Sequence, residues 1–149
     1  MPVRKTSAHT TPGNILLVDD NKLGLSARRC VLEELGHHIA TASNGAEALE
    51  QFEFQFEKEP FDLVVTDYKM PRMGGVELIV GLRKVSPNVP VILISGFVDA
   101  LGLSEENTGA DVVIQKSANE VTHLVRSVAR LLRKGPGSET GRGKKKGLR

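Results

Sequence analysis

Between Asn14 and Leu132 short apolar runs alternate five times with segments of helical period, and few architectures accommodate that order. Ile15-Leu16-Leu17-Val18, Leu63-Val64-Val65-Thr66 and Val91-Ile92-Leu93-Ile94 lack the polar alternation of a strand with one wet face. They read as strands covered on both sides. Repeated strand and helix units build a parallel sheet. Strands are expected at 15–19, 37–42, 61–66, 90–95 and 111–115, and helices at 22–35, 45–57, 75–85, 98–107 and 118–133.

The helical segments carry their own punctuation. In the first, Ala27, Val31 and Leu35 recur at four-residue spacing, and Gly36 follows as a left-handed cap. In the third, Leu78, Ile79, Leu82 and Val85 form a stripe that Ser86-Pro87-Asn88 ends. The last carries Val121, Leu124, Val125, Val128 and Leu132 behind Ser117-Ala118-Asn119-Glu120, the pattern of a capping box. The second is less regular: Leu49, Phe52 and Phe56 share a face, while Phe54 falls on another within the acidic stretch Gln51–Glu59. Right-handed crossovers put helices on both faces of the sheet, and so short a chain favours strand order 2-1-3-4-5. The expected fold class is α/β, a (βα)5 doubly wound parallel sheet of flavodoxin-like topology.

In that order the first and third strands are neighbours. Asp19-Asp20 and Asp67, each at the end of an apolar run, then meet in the crevice where open α/β sheets hold their ligands. Two carboxylates ~4 Å apart repel by about 1 kcal/mol in water and roughly 4 kcal/mol at an effective dielectric near 20. Three of them call for a cation, and Mg2+ suits a set of hard oxygen donors.

The net charge of +2 conceals a division. Residues 133–149 hold seven Lys/Arg and one Glu, and residues 1–13 hold two Lys/Arg and no acid, so 14–132 keep 11 basic and 17 acidic side chains, a net −6. Overall basicity is therefore poor evidence for nucleic acid, and Lys144–Lys146 read as a solvated tail. Residues 1–13 and 135–149 have too few apolar groups to offset ordering entropy and are expected to be disordered around a single domain at 14–134. Cys30 is the only cysteine, and no apolar stretch approaches 18 residues. No internal disulfide, membrane span or signal segment is expected, and the simplest compartment is the cytoplasm. The 17 polar-rich residues after Leu132 are too few for a helix-turn-helix or enzymatic output unit, so no DNA-binding domain is expected.

Asp19-Asp20 after the first strand, Val64-Val65-Thr66-Asp67 before Met70-Pro71 and Gly74-Gly75, Ser95-Gly96 after the fourth strand, Gly109-Ala110-Asp111 before the fifth and Lys116 at its end occur in one order and spacing. With these motifs residues 14–133 resemble the receiver domain of bacterial two-component response regulators. The resemblance implies a phosphoacceptor that promotes its own phosphorylation and dephosphorylation, not an enzyme acting on a separate substrate. Asp67 would be the nucleophile, taking a phosphoryl group from a sensor histidine kinase or a histidine phosphotransfer protein. Asp20, Asp67 and the backbone carbonyl of Lys69 would hold Mg2+, with Asp19 acting partly through water. Lys116 would offer its ammonium to the phosphoryl oxygens, and Ser95 its hydroxyl once the group has arrived. The signal would pass to an unidentified downstream protein or along a phosphorelay.

Three positions depart from the family pattern. Ser117 stands where receivers usually have a cis proline, so the Lys116–Ser117 bond is either trans or a strained cis. Val113 stands where receivers commonly carry an inward-turning Tyr or Phe, which leaves Phe97 as the nearby ring able to share that motion. The second helix region, up to Phe61-Asp62, is about one turn longer than usual. The competing reading is a phosphorylation-independent interaction module on the same fold.

Overall fold

The computed structural model describes residues 11–134. The greater part of both tails expected to be disordered, with the Lys144–Lys146 cluster, lies outside the described residues. The elements are β1 (Asn14–Val18), α1 (Lys22–Glu34), β2 (His38–Ala42), α2 (Gly45–Gln55), β3 (Leu63–Asp67), α3 (Gly75–Val85), β4 (Val91–Ser95), α4 (Val98–Leu101), α5 (Glu105–Thr108), β5 (Val112–Gln115) and α6 (Glu120–Lys134). The five strands form one parallel sheet in the order β2-β1-β3-β4-β5, as the alternation of elements implies.

Strand alternation divides the core in two. Ile15, Leu17, Leu63, Val65, Ile92 and Ile94 pack with Leu32 of α1 and with Leu124, Val128, Leu131 and Leu132 of α6. Leu16, Val18, Val64, Val91 and Leu93 face the other way, onto Ala48 and Phe52 of α2 and Leu78, Ile79 and Leu82 of α3. Successive strand side chains point to opposite faces, so a run apolar at every position is covered on both. β5 closes the side of the sheet beyond β4. There the Val113 N–H donates to the Glu105 carboxylate, at 3.2 Å.

Four local expectations need correction. In α1 the inward positions are Leu25, Arg28 and Leu32, whereas Ala27 and Leu35 are exposed. A buried arginine occupies the centre of the true stripe and hid it. The helix expected at 98–107 is two short helices separated at Gly102, whose φ of +63° is a left-handed conformation that glycine adopts without penalty. Ser104 then restarts the chain, its hydroxyl accepting the Asn107 N–H while its own N–H donates to the Asn107 side chain. α2 ends at Gln55, so the additional residues before β3 form the connection and not more helix. Finally, α6 begins at Glu120, and Ser117 does not make the expected capping box: its hydroxyl accepts from Asn119 N–H, while the Glu120 carboxylate is drawn away to Arg28. Gly36 does cap α1, with φ of +100° and the His37 N–H returning to Leu32 O.

Candidate functional site

Strand register brings the motif residues to one edge. Val18 pairs with Thr66, so Asp19 and Asp67 follow side by side; Asp67 pairs with Ile94, one step before Ser95; and Ser95 pairs with Gln115, one step before Lys116. The parallel register of β1, β3, β4 and β5 thus brings the residues at their C-terminal ends to one edge of the sheet. Oxygens of Asp19, Asp20 and Asp67 lie within 4.8 Å of one another, with Asp19 and Asp67 buried and Asp20 exposed. The Lys116 ammonium reaches Asp67 Oδ1 at 2.7 Å. Oδ1 is a buried atom, and this ammonium is the cation that meets it. The contact pairs opposite charges.

The remaining expected residues sit around this centre. Ser95 is buried at the end of β4, with its hydroxyl accepting the Phe97 N–H at 2.9 Å. Its carbonyl accepts the Lys116 N–H, also at 2.9 Å, which ties the serine strand to the lysine strand. Lys69 is exposed in the loop after β3. That loop folds back tightly, with the Gly75 N–H donating to Tyr68 O at 2.8 Å. A Cβ on Gly75 would stand 2.5 Å from Asp67 O and 2.7 Å from Leu93 Cδ1, so only glycine fits. Among the described residues no peptide bond is cis, and Lys116–Ser117 is therefore trans. Val113 packs partly buried against the α2 and α3 face, and the Phe97 ring is about half exposed, at 48%.

Arg28 is the residue that sequence reasoning missed. It is 7% exposed on α1, with one guanidinium nitrogen 2.7 Å from Asp19 Oδ2 and another 2.6 Å from Glu120 Oε2. Asp19 Oδ1 meanwhile accepts the Asn21 N–H at 2.9 Å. The available signal was an arginine flanked at helical spacing by Leu25 and Leu32, a charged side chain on an inward stripe that demands a buried acid.

Burial pushes the Asp67 carboxyl above its ordinary value; Lys116 opposes this, and the neighbouring Asp19 adds to it. A carboxyl raised in the folded state contributes most below its unfolded pKa, and that contribution is lost as pH rises through the folded value. At neutral pH the ionised Asp67 therefore costs stability. Asp67→Asn is expected to raise the melting temperature at pH 7 in chelator by roughly 4 °C, the shift that ~1 kcal/mol makes in a domain of this size. The difference should fade as the pH is taken below the ordinary carboxylate range; calorimetric melts across that range provide the check.

An acidic pocket with one lysine, at the switch point of a five-stranded 2-1-3-4-5 sheet, is the arrangement of a signalling receiver. The family model for the response regulator receiver domain matches residues 15–128, and the chain belongs to that family, whose members work in two-component signalling. It is similar to the response regulator receiver protein CpdR of Brucella abortus, 28% identical over 118 residues, covering 79% of this chain and 94% of that protein. It is also similar to the transcriptional regulatory protein GlrR of Escherichia coli, 36% identical over 56% of this chain but only 18% of GlrR. Among solved structures it resembles the response regulator TrrA of Thermotoga maritima in complex with Mg(2+)-BeF, with 33% identity, a TM-score of 0.61 and coverage of 79% of this chain and 97% of that one. No helix among the described residues is long and apolar enough to cross a membrane.

Proposed function

We propose that this receiver accepts a phosphoryl group on Asp67 from a phosphohistidine of a sensor histidine kinase or histidine phosphotransfer protein, in a Mg2+-dependent step. It then signals by binding a downstream protein or by passing the group onward. One observation carries the reading: a buried aspartate at the end of β3 has Oδ1 2.7 Å from a lysine ammonium and lies beside two more carboxylates. The Mg(2+)-BeF complex of the similar TrrA supports it.

The donor set fits a hard divalent ion. Asp20 is exposed and, among the described residues, neither it nor Asp67 shares its carboxylate with an arginine, so these two, with the carbonyl of Lys69, would contact it directly. Both Asp19 oxygens already have partners, which suits contact through water. When bound, Mg2+ would neutralise the carboxylates and spread phosphoryl charge. Asp67 supplies the nucleophile: its oxygen forms the O–P bond as the P–N bond to the donor imidazole breaks and that imidazole takes up a proton. Lys116 stabilises the equatorial oxygens as they gain charge. The Ser95 hydroxyl, engaged with Phe97 N–H, would turn toward the phosphoryl oxygens, pulling on the loop that begins α4.

Incubation of the full chain with phosphoramidate and Mg2+ should add one phosphoryl group by intact mass, and Asp67→Asn or a chelator should abolish the gain. A folded wild-type chain that gains nothing would overturn this reading in favour of a phosphorylation-independent interaction module.

A further inference from the structure

We propose that Arg28 is a positioning residue that acts through Asp19: its guanidinium keeps Asp19 out of direct contact with the divalent cation and sets how tightly the pocket takes it. This deepens the phosphoacceptor reading and rests on it.

The three carboxylates of the pocket are not equivalent. Asp20 is exposed and Asp67 pairs with Lys116 through Oδ1, but Asp19 has both oxygens engaged, its Oδ1 on the Asn21 N–H and its Oδ2 on Arg28, at 2.9 and 2.7 Å. For Asp19 to ligate a cation directly, one of these bonds must break. Arg28 is itself held from the far side by Glu120, 92 residues away in the chain, at 2.6 Å. A single guanidinium thus joins the cation pocket to the first turn of α6. Its fork of donors can serve two carboxylates at once, which a lysine ammonium on the same stem would do less well.

Packing does not account for an arginine at this position. Its neighbours on the inward stripe are Leu25 and Leu32, and an apolar side chain would continue them without removing a charge from water. The surroundings are also shaped to the ion pair. A Cβ on Gly24 would lie 3.2 Å from Asp19 Oδ2 and 3.6 Å from Arg28 Nη1, so the bare glycine leaves room where the two groups meet. With Lys116 and Arg28 both present, the three carboxylates carry a net charge of −1 instead of the −2 that Lys116 alone would leave. The cation therefore binds against a fixed positive charge, and Glu120 moderates that charge by sharing it.

Calorimetric titration of Mg2+ into the full chain tests this. Arg28→Met, similar in length and without charge, should bind Mg2+ about tenfold more tightly, equivalent to ~1.4 kcal/mol. Glu120→Gln should bind it roughly threefold more weakly, because the guanidinium is left to Asp19 alone. Simple loosening of the fold would weaken both variants, so the opposite signs separate positioning from scaffolding. In amide NMR spectra, Mg2+ should shift Glu120 and its first-turn neighbours in the wild-type protein and leave them still in Arg28→Met. Wild-type Mg2+ affinity in a folded Arg28→Met overturns the role of Arg28 alone. If that variant does not fold, unchanged affinity in Glu120→Gln together with unmoved Glu120 amides in the wild type overturns it equally. A wild-type chain that takes no Mg2+ overturns the phosphoacceptor reading itself, and the role of Arg28 with it.

Discussion

Lys116→Ala is expected to slow phosphorylation of the proposed acceptor Asp67 by about 10²–10³-fold, the ~2.7–4 kcal/mol typical of removing one preorganised donor to developing charge. The lysine directly follows β5, and its backbone N–H donates to Ser95 O, so the ammonium reaches Asp67 Oδ1 from a backbone tied to β4. Such placement requires little reorganisation when charge develops. Removing it also takes away the group that opposes the effect of burial on Asp67, so the carboxyl should move further above its ordinary range. Mg2+ binding should survive, because a competing positive charge has gone. Rates of mass gain with phosphoramidate at saturating Mg2+, set beside a Mg2+ titration, separate the two effects. Lys116→Arg should restore little of the rate, since a planar guanidinium does not reproduce a compact ammonium. An unchanged rate in Lys116→Ala would remove the lysine from the chemistry.

Gly75→Ala is expected to destabilise the fold by about 3 kcal/mol, or roughly a 10 °C fall in melting temperature. Both atoms that its Cβ would strike are immobile: Asp67 O belongs to the backbone of a central strand, and Leu93 is fully buried. Relief requires α3 to withdraw from β3, which breaks the Gly75 to Tyr68 bond and moves the loop carrying Lys69. The variant should therefore lose Mg2+ affinity even at temperatures where it remains folded. Gly96→Ala is the control, because a Cβ there meets nothing nearer than the Lys116 side chain at 4.0 Å.

The sheet was legible in the sequence because its central strands β1, β3 and β4 are short apolar runs, and alternation with helices leaves few ways to connect them. The acidic edge was legible for the same reason: once β1 and β3 are neighbours, the residues that follow their apolar runs must meet. What stayed hidden depended on long-range partners. Arg28 broke the apolar period of α1, and only Asp19 and Glu120, 9 and 92 residues away, make its burial tolerable. The same partnership removed Glu120 from the capping box that its local pattern suggests. At 98–107 the composition suits a helix, but Gly102 offers a left-handed turn at little cost and Ser104 offers a new cap, and four-residue helices bear too few hydrogen bonds for periodicity to reveal them. The trans bond at Ser117 follows from elementary amide energetics, since without proline the cis form costs ~2.5–4 kcal/mol.

The hydrogen bond from Val113 to Glu105 matters beyond this one molecule. A sheet margin with free amides invites an extended segment of another chain to lie alongside it, and soluble proteins avert such recruitment with charges placed at the rim. Here the carboxylate takes an amide hydrogen that an incoming segment would use and presents it with a negative charge instead. Crowded copies of this protein should accordingly resist joining through that margin, and removing the Glu105 side chain would unmask it.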